Sequence, residues 1–259
     1  MTAGGVGYGG VAASLVLVVV AVVLSLRQGL GIERTIVWAV ARAFVQLLAV
    51  GSALTLVLAD DAPVVLALGW VALMVLVASV TIALRAREVP DMFPVGLLAV
   101  GSAVVVSELV LFGLGIFPFE PVAIVPLAGM VLGNSLGATV TASRRVVDEL
   151  SDNRIEVEAR LALGQPWKDA ARPYVRSAVR TALTVQIESV KTLGLIALPG
   201  AMTGLILAGV DPIDAVLVQM CVMYVILGSA ATATAVVGVG ATRRLFTSDH
   251  RLRPLARSR

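Results

Sequence analysis

The chain has 259 residues, of which 58% are hydrophobic and only 14% charged, and it carries a formal net charge of +3. A soluble domain has about a quarter of its residues charged, and a core of this size cannot bury so much apolar surface, so the composition excludes a water-soluble protein. The apolar residues stand in long continuous runs, which excludes a transmembrane β-barrel and predicts an all-α bundle in a membrane.

Seven apolar windows predict seven transmembrane helices in a single domain that covers residues 1–259. Their approximate ranges are 10–26, 36–58, 63–84, 94–116, 121–142, 178–209 and 213–241. No positively charged residue precedes the first window, so we interpret it as a retained span and not as a cleaved signal peptide. The chain is therefore expected to be a multi-pass protein of the cell membrane.

The distribution of charge between the connections predicts the orientation of the chain. With the N-terminus outside, the outer loops hold only acidic charges, at Asp60, Asp61, Glu120, Asp211 and Asp214. Of the 20 Lys and Arg residues, all but Arg42 and Lys191 then fall in the inner loops and the C-terminal tail. Since the cytoplasmic loops of membrane proteins carry the excess of basic residues, the pattern predicts an N-out, C-in topology.

Polar side chains inside spans two and four are candidate transport residues, because such groups are costly in a membrane. Arg42 and Gln46 are four residues apart and therefore share one face of span two. Arg42 is near the inner end of the span and could instead extend to the interface. Glu108 lies well within span four and has no charge partner in its own helix.

Span five combines small residues with one amide side chain. Gly129 and Gly133 form a GxxxG pair, which predicts close packing against another helix. Asn134 follows this pair and is expected either to form a hydrogen bond between helices or to contact the substrate. Met130 lies on the same span, and its thioether could bind a metal or, as is more usual for methionine, fill the core.

The long hydrophilic stretch of the chain lies between spans five and six, at residues 143–177. Its apolar residues recur at helical spacing up to Gly164, which predicts a helix that ends at this glycine. Pro166 is expected in the first turn of a second short helix. A cytoplasmic helix–glycine–helix unit is what a membrane domain needs in order to dock a soluble motor, although a solvated connector has the same pattern.

The sixth span is too long for one straight crossing and contains Pro199 and Gly200, which predicts a break or kink there. Glu188 and Lys191 are three residues apart on this span. They are expected to pair with each other or to contact the substrate.

The spans offer few metal ligands beyond the thioethers of Met130, Met202, Met220 and Met223. The sole histidine, His250, lies in the basic tail, and Cys221 is a single cysteine in an apolar run. No set of metal ligands is defined by these residues.

The C-terminal tail is rich in arginine, at Arg251, Arg253, Arg257 and Arg259. We interpret it as an anchor to anionic lipid headgroups at the inner membrane surface. Because the basic residues are concentrated on that side, the net charge does not indicate nucleic-acid binding.

Taken together, these stretches resemble the FetB family of ABC-transporter permeases, described as iron-export permeases and related to the plant aluminium-tolerance proteins. The matching strings are ARA at 41–43, QL at 46–47, VPLAGM at 125–130, GN at 133–134, VKTLGL at 190–195, LPGAMTG at 198–204 and AGVDP at 208–212. EARLALG at 158–164 also resembles the coupling-loop pattern of such permeases, in which Glu-Ala-Ala precedes a glycine by three residues. The resemblance covers about residues 11–245. It departs at Arg160, where the pattern has alanine, and at Glu188, where relatives have a shorter acid.

The resemblance implies a permease homodimer that exports iron or another metal and binds two copies of a separate ABC ATPase. In that scheme the coupling residues are Glu158, Ala159, Leu161, Gly164 and Pro166. The candidate pathway residues are Arg42, Gln46, Glu108, Met130, Asn134, Glu188, Lys191 and Met202. The chain contains no G-x-x-x-x-G-K-[ST] motif, so it is not expected to be an enzyme or to bind a cofactor directly, and ATP would be used by the partner subunit.

Two other classes of function stay open at this point. A stand-alone secondary transporter or channel driven by an ion gradient would use Glu108 and Glu188 as relay acids. An intramembrane enzyme is disfavoured, since no His–Asp, Ser–Lys or paired-carboxylate constellation stands at useful spacing.

Overall fold

A computed structural model describes residues 8–59, 62–194, 198–247 and 249–254. Asp60 and Asp61 of a predicted outer loop, residues 195–197 of the predicted sixth span, and Arg257 and Arg259 of the predicted lipid anchor lie outside the described residues.

The described residues are helical apart from short connections and one isolated bridge between Phe246 and Leu252. The helices are α1 Tyr8–Gln28, α2 Glu33–Val57, α3 Val64–Arg85, α4 Met92–Gly113, α5 Pro121–Asp152, α6 Arg154–Ala162, α7 Trp167–Thr192, α8 Gly200–Leu207 and α9 Pro212–Leu245. The all-α prediction is therefore confirmed for the described part of the chain.

Six of these helices are long and apolar enough to cross a membrane: α1, α2, α3, α4, α5 and α9. The predicted sixth span, 178–209, is divided between the C-terminal half of α7 and the short α8. Neither α7 nor α8 alone has the length and composition of a span, because α7 carries many charged residues and α8 has only eight residues.

The centre of the molecule, called the body below, consists of α3, α4, α5, α7 and α9. The longest helix, α9, packs along α4 and α5, and α5 also packs along α3 and α7. Buried alanine and valine form the facing surfaces, at Ala233, Val237 and Ala241 of α9 and at Ala178 and Ala182 of α7. Small side chains let helix backbones approach closely, which is how helices associate when lipid removes the hydrophobic driving force.

Glycines of α9 make the closest of these approaches. A Cβ atom on Gly240 would lie 2.6 Å from Cγ1 of Val95, and one on Gly238 would lie 2.8 Å from Cγ2 of Val179. In the predicted GxxxG pair, by contrast, Gly129 backs onto Met74 and Gly133 faces open space. Close packing is therefore seen at Gly129 alone of that pair, and the tightest helix contacts lie in α9.

The helix α5 continues ten residues beyond the predicted end of its span, through the beginning of the hydrophilic stretch. Its 32 residues correspond to about 48 Å, which exceeds a hydrocarbon layer of about 30 Å. The helix α5 is therefore longer than one membrane crossing requires, and its last turns belong to the hydrophilic stretch.

Polar contacts join the connections at this end of the body. Arg144 of α5 donates two hydrogen bonds to the backbone oxygen of Arg85, at 3.0 and 2.6 Å, and its Nε lies 3.9 Å from Glu88. Arg244 at the end of α9 pairs with Asp91 at 3.3 Å. The α3–α4 loop, the extension of α5 and the end of α9 thus meet at one end of the bundle.

The first two helices form a hairpin that lies beside the body. Ser25 closes its turn by donating a hydrogen bond of 2.7 Å to Glu33. The helix α2 makes few close contacts with α1 and fewer still with α3, and just 6% of the span window in α1 and in α2 is buried.

Candidate coupling helix and transport pathway

The segment between α5 and α7 contains a separate short helix, α6. After α6 ends, Gly164 adopts a φ of +84°, a conformation that glycine enters without strain, and the chain turns toward α7. Pro166 has an extended backbone and occupies the N-cap position of α7. It therefore lies one residue before the first turn, in which it was predicted. The helix–glycine–helix arrangement is therefore present, but its first helix begins only at Arg154, after α5 ends, and its second is the 26-residue α7 and not the short helix that was predicted.

The inner face of α6 is held against α7 and the core. Val157 is fully buried, and the partly buried Leu161 packs against the same core. Arg160 pairs with Glu156 at 2.6 Å, and its guanidinium lies 5.7 Å from the ring centre of Tyr174 on α7. Burial raises the pKa of the Tyr174 hydroxyl, so this side chain stays neutral beneath α6. Movement of α6 must therefore be shared by α7.

The outer face of α6, which points away from the core of the molecule, is exposed although it carries apolar side chains. Ile155 and Leu163 are 86% and 82% exposed, and Ala159 lies between them at helical spacing. Of the predicted coupling residues, Leu161 is partly buried and packs against the core, whereas Ile155 and Leu163, which were not among them, are exposed. Helical spacing alone places Ile155 and Val157 on different faces of α6, but only the burial of Val157 shows which face is exposed.

The other predicted coupling side chain, Glu158, faces the C-terminal segment. It pairs with Arg154 at 2.7 Å and lines a cavity of about 330 Å³ together with His250, Arg251 and Leu252. The cavity lies between α6 and the returning tail.

The described part of the tail folds back onto the start of α7. The ring of Phe246 stacks on Trp167 with 5.8 Å between ring centres, and the Trp167 backbone N–H donates to Nδ1 of His250 at 3.4 Å. Leu252 is buried. The described residues of this segment therefore connect the end of α9 to α6 and α7, while Arg251 and Arg253, two of the arginines of the predicted lipid anchor, are exposed.

On α7, the exposed face carries a row of polar residues. Arg172, Arg176, Arg180, Thr184 and Glu188 follow each other at intervals of four residues and are all exposed. Those from Arg176 onward, together with Lys191, line a depression of about 620 Å³. No ion pair links the three arginines to an acid within the described residues. In the predicted topology these arginines count only as positive charges, although their four-residue spacing already places them on one face of a helix.

At the C-terminal end of α7, Glu188 and Lys191 form an ion pair of 2.8 Å, which confirms the predicted pairing. Nearby, Gln186 donates to the backbone oxygen of Asn134 at 3.5 Å, while the Asn134 side chain donates to the backbone oxygen of Met130 at 2.8 Å. Gln186 thus links α7 to α5 at Asn134, whereas the α7 candidates Glu188 and Lys191 are exposed and pair only with each other among the described residues.

Three other pathway candidates lie elsewhere in the chain. Arg42 and Gln46 are exposed on α2, which packs mainly on α1 and does not bring them to α5 or α7 within one chain. Glu108 is half-buried on α4, and its Oε1 atom is buried with no hydrogen-bond partner among the described residues.

The last candidate, Met202, lies at the interruption between α7 and α8. The helix α7 ends at Thr192, and α8 begins at Gly200 with Pro199 as its extended cap. Beside the interruption is a cavity of about 360 Å³, which Met202 lines together with Gln219, Met220, Met223 and Tyr224. Met130 lies outside this cavity and packs against Leu111 and Leu127.

Comparison with known proteins places these features in a family. The profile of the uncharacterised protein family UPF0014 matches residues 8–246. The chain is 36% identical to the UPF0014 membrane protein STAR2 of Oryza sativa subsp. japonica, with 86% of this chain and 78% of the relative covered. It is 35% identical to the protein ALUMINUM SENSITIVE 3 of Arabidopsis thaliana, covering 86% of this chain and 81% of the relative.

A bacterial relative extends over almost the full length of both chains. The protein named "Probable iron export permease protein FetB" of Escherichia coli (strain K12) is 33% identical, with 93% of each chain covered. No solved structure matches the chain significantly. The chain belongs to the UPF0014 family of membrane proteins, as the predicted resemblance to FetB and to the plant proteins indicated.

Proposed function

We propose that the chain is the permease subunit of an ABC transporter that exports iron or another metal across the cell membrane, using ATP hydrolysed by a separate subunit. The relative in Escherichia coli carries the name of a probable iron export permease. The observation that carries the proposal is α6, a short helix that presents exposed apolar side chains at the inner end of two long helices.

The position of α6 suits a coupling helix. It follows the end of α5 directly and is attached to α7 through Val157, Leu161 and Arg160. A motor that binds Ile155 and Leu163 therefore acts on both helices at once. Exposed apolar side chains of this size on a polar surface are typical of a protein contact site.

In this proposal the chain crosses the membrane seven times, with the N-terminus outside and the C-terminus inside. The seventh crossing is made by α7 and α8 together, interrupted between Thr192 and Gly200. Arg144 contacts Arg85, and Arg244 contacts Asp91, so the α3–α4 loop meets the ends of α5 and α9. These are segments that the distribution of basic residues assigns to the inner side, and their contacts support that assignment.

The polar row on α7 supports a homodimer. Arg180 and Glu188 are exposed at the surface of one chain, although charged side chains in a membrane face water or protein, not lipid. A second copy that covers this face would enclose a polar pathway between the two α7 helices. The largely unburied hairpin of α1 and α2 offers further surface for the second copy, and Arg42 and Gln46 would reach the pathway from there.

Copurification with the ATPase subunit tests the coupling assignment. Ile155→Glu and Leu163→Glu place charges on the outer face of α6 and are expected to reduce ATPase binding by about tenfold or more each, as loss of an apolar anchor does. Leu114→Glu is the matched control, because Leu114 is 74% exposed in the loop that precedes α5, away from α6. Full ATPase binding by the Ile155→Glu, Leu163→Glu double variant would contradict the assignment.

Water accessibility tests the dimeric pathway. In a Cys221→Ser background, a cysteine at Thr184 on the polar row is expected to react with a charged maleimide. A cysteine at Val105, exposed on α4, is expected to face lipid and to remain unmodified. A monomer by light scattering, or protection of Thr184→Cys, would contradict the pathway.

A gradient-driven transporter is the second candidate, and the buried Glu108 oxygen without a hydrogen-bond partner is the observation that favours it. Transport that continues after ATP depletion and stops when the proton gradient is dissipated would support this alternative. Under the ABC proposal the opposite result is expected.

A further inference from the structure

The cavity beside the α7–α8 interruption collects side chains of one chemical kind. Three of the seven methionines of the chain line it, Met202 from α8 and Met220 and Met223 from α9. On α9, Gln219 lies on the same face, since residues 219, 220 and 223 are separated by one and three positions. Two separate helices therefore present thioethers to a single space.

The side chain of Gln219 gives independent support for a ligand. The residue is only 7% exposed, it lines the cavity, and its Oε1 atom has no hydrogen-bond partner among the described residues. A buried amide oxygen without a partner costs about 1–3 kcal/mol, and a ligand bound beside it would offset this cost.

These methionines differ from those that only fill the core. Met92, the first residue of α4, is 3% exposed and lies among apolar side chains, and Met74 packs against Gly129. Met220 is 43% exposed and Met202 is half-buried, whereas Met223 also packs against the core cluster of Leu111 and Ile226. All three line the cavity, so a ligand bound there would meet their side chains.

The lining chemistry selects the charge and softness of that ligand. Among the described lining residues there is no carboxylate, imidazole, thiol or basic side chain. A hard divalent cation prefers carboxylate or imidazole ligands, whereas thioethers select soft monovalent copper. A neutral site also suits a single charge, because the desolvation cost of an ion rises steeply with its charge.

We propose that Met202, Met220, Met223 and the Gln219 amide oxygen form a binding site for a soft monovalent metal cation, Cu(I) in the cell. The site lies beside the end of α7 and the start of α8, the two helices that together form the proposed crossing. As a substrate site it rests on the proposed function and names its metal class. As a binding site it is independent of the ATPase.

Silver binding to the purified full-length chain tests the site, with Ag⁺ as the redox-stable probe. All variants carry Cys221→Ser, because the thiol next to Met220 would itself bind silver. We expect one Ag⁺ per chain and sulfur neighbours in the X-ray absorption spectrum. Each of Met202→Leu, Met220→Leu and Met223→Leu is expected to reduce the affinity by about tenfold, since leucine keeps the volume and removes the ligand.

The control is Met92→Leu, which is expected to leave silver affinity unchanged. Gln219→Leu is expected to reduce the affinity less than a methionine variant does, because it removes a harder oxygen ligand. The site is overturned if the triple methionine variant binds silver as the parent does, if Met92→Leu has the same effect, or if no stoichiometric binding occurs. Such a failure leaves ATPase binding by α6 untouched, whereas failure of the Ile155 and Leu163 experiment leaves silver binding untouched, so the two proposals are tested separately.

Discussion

The α1–α2 hairpin and the body are both built from helices apolar enough to cross a membrane, yet they pack very differently. In α1 and α2 only 6% of the span window is buried, compared with 28% in α3 and 50% in α5. The hairpin is held to the rest of the chain by sparse contacts between α2 and α3. The body, in contrast, contains nearly all of the buried residues.

This difference shows that hydrophobicity places a helix in the membrane but does not decide what the helix contacts. The body carries glycine, alanine and serine where helices meet, and these residues allow close packing. The surface of the hairpin consists of large side chains such as Leu17, Trp38 and Leu47, which suit lipid or a second copy of the chain. Matched substitutions in the two regions test the comparison.

The largest effect is expected for added volume at a helix crossing. Gly240→Val should lower the free energy of unfolding by about 3 kcal/mol, because the new Cβ would lie 2.6 Å from Val95 in a packed contact. Gly51→Val in α2 meets nothing within 4 Å and should change stability by about 0.5 kcal/mol or less. Unfolding in detergent micelles by SDS titration measures both. A large loss at Gly51 would show that the hairpin is covered by another surface, such as the second copy.

A smaller effect is expected for the polar contacts between α5 and the α3–α4 loop. Arg144→Ala removes two hydrogen bonds to the Arg85 backbone oxygen and the cation nearest to Glu88, one oxygen of which is already buried without a partner. The expected loss of stability is about 1–2 kcal/mol. Arg34→Ala in the hairpin removes an exposed side chain and should have almost no effect. Thermal unfolding of the two variants in the same detergent compares them, and equal midpoints would contradict the structural role of Arg144.

The smallest effect is expected for a hydrogen bond inside the body. Ser229→Ala removes the partner of Ser135, 3.2 Å away between α9 and α5, and should cost about 0.6 kcal/mol, the average for hydrogen bonds between membrane helices. Ser52→Ala is the hairpin control, because Ser52 bonds only to backbone oxygens of its own helix. Chemical unfolding of both variants should show a loss at Ser229 alone, and an equal loss at Ser52 would contradict the distinction between body and hairpin.

Several parts of the candidate site could be predicted because they depend on neighbours in sequence. The pairing of Glu188 with Lys191 follows from their three-residue separation on a helix, and it is present. The turn at Gly164 follows from the tolerance of glycine for positive φ, and it is present as well. Local spacing is sufficient for such features, since both partners lie within one turn of helix.

Other features needed contacts between distant segments. Leu161 and Ile155 are similar apolar residues of one short helix, and the packing of α6 alone turns the first inward and the second outward. In the same way, Gly133 matched a packing motif but faces open space, while Gly240 matched no motif and lies closest to another helix. A pattern identifies residues able to make a contact, but the partner helix determines whether the contact exists.

The amino-acid sequence by itself determined that this protein is a membrane-embedded helical bundle with a polar helical segment between two of its long helices. Its long apolar runs and the placement of its charges leave few other solutions, because backbone polar groups in lipid must be satisfied within helices. The tertiary structure alone decided that the arginines of α7 form an exposed row and that Met202 meets Met220, Met223 and Gln219 in one cavity. These arrangements depend on how helices rotate and pack against each other, and that is set by the fit of side chains from segments far apart in the chain.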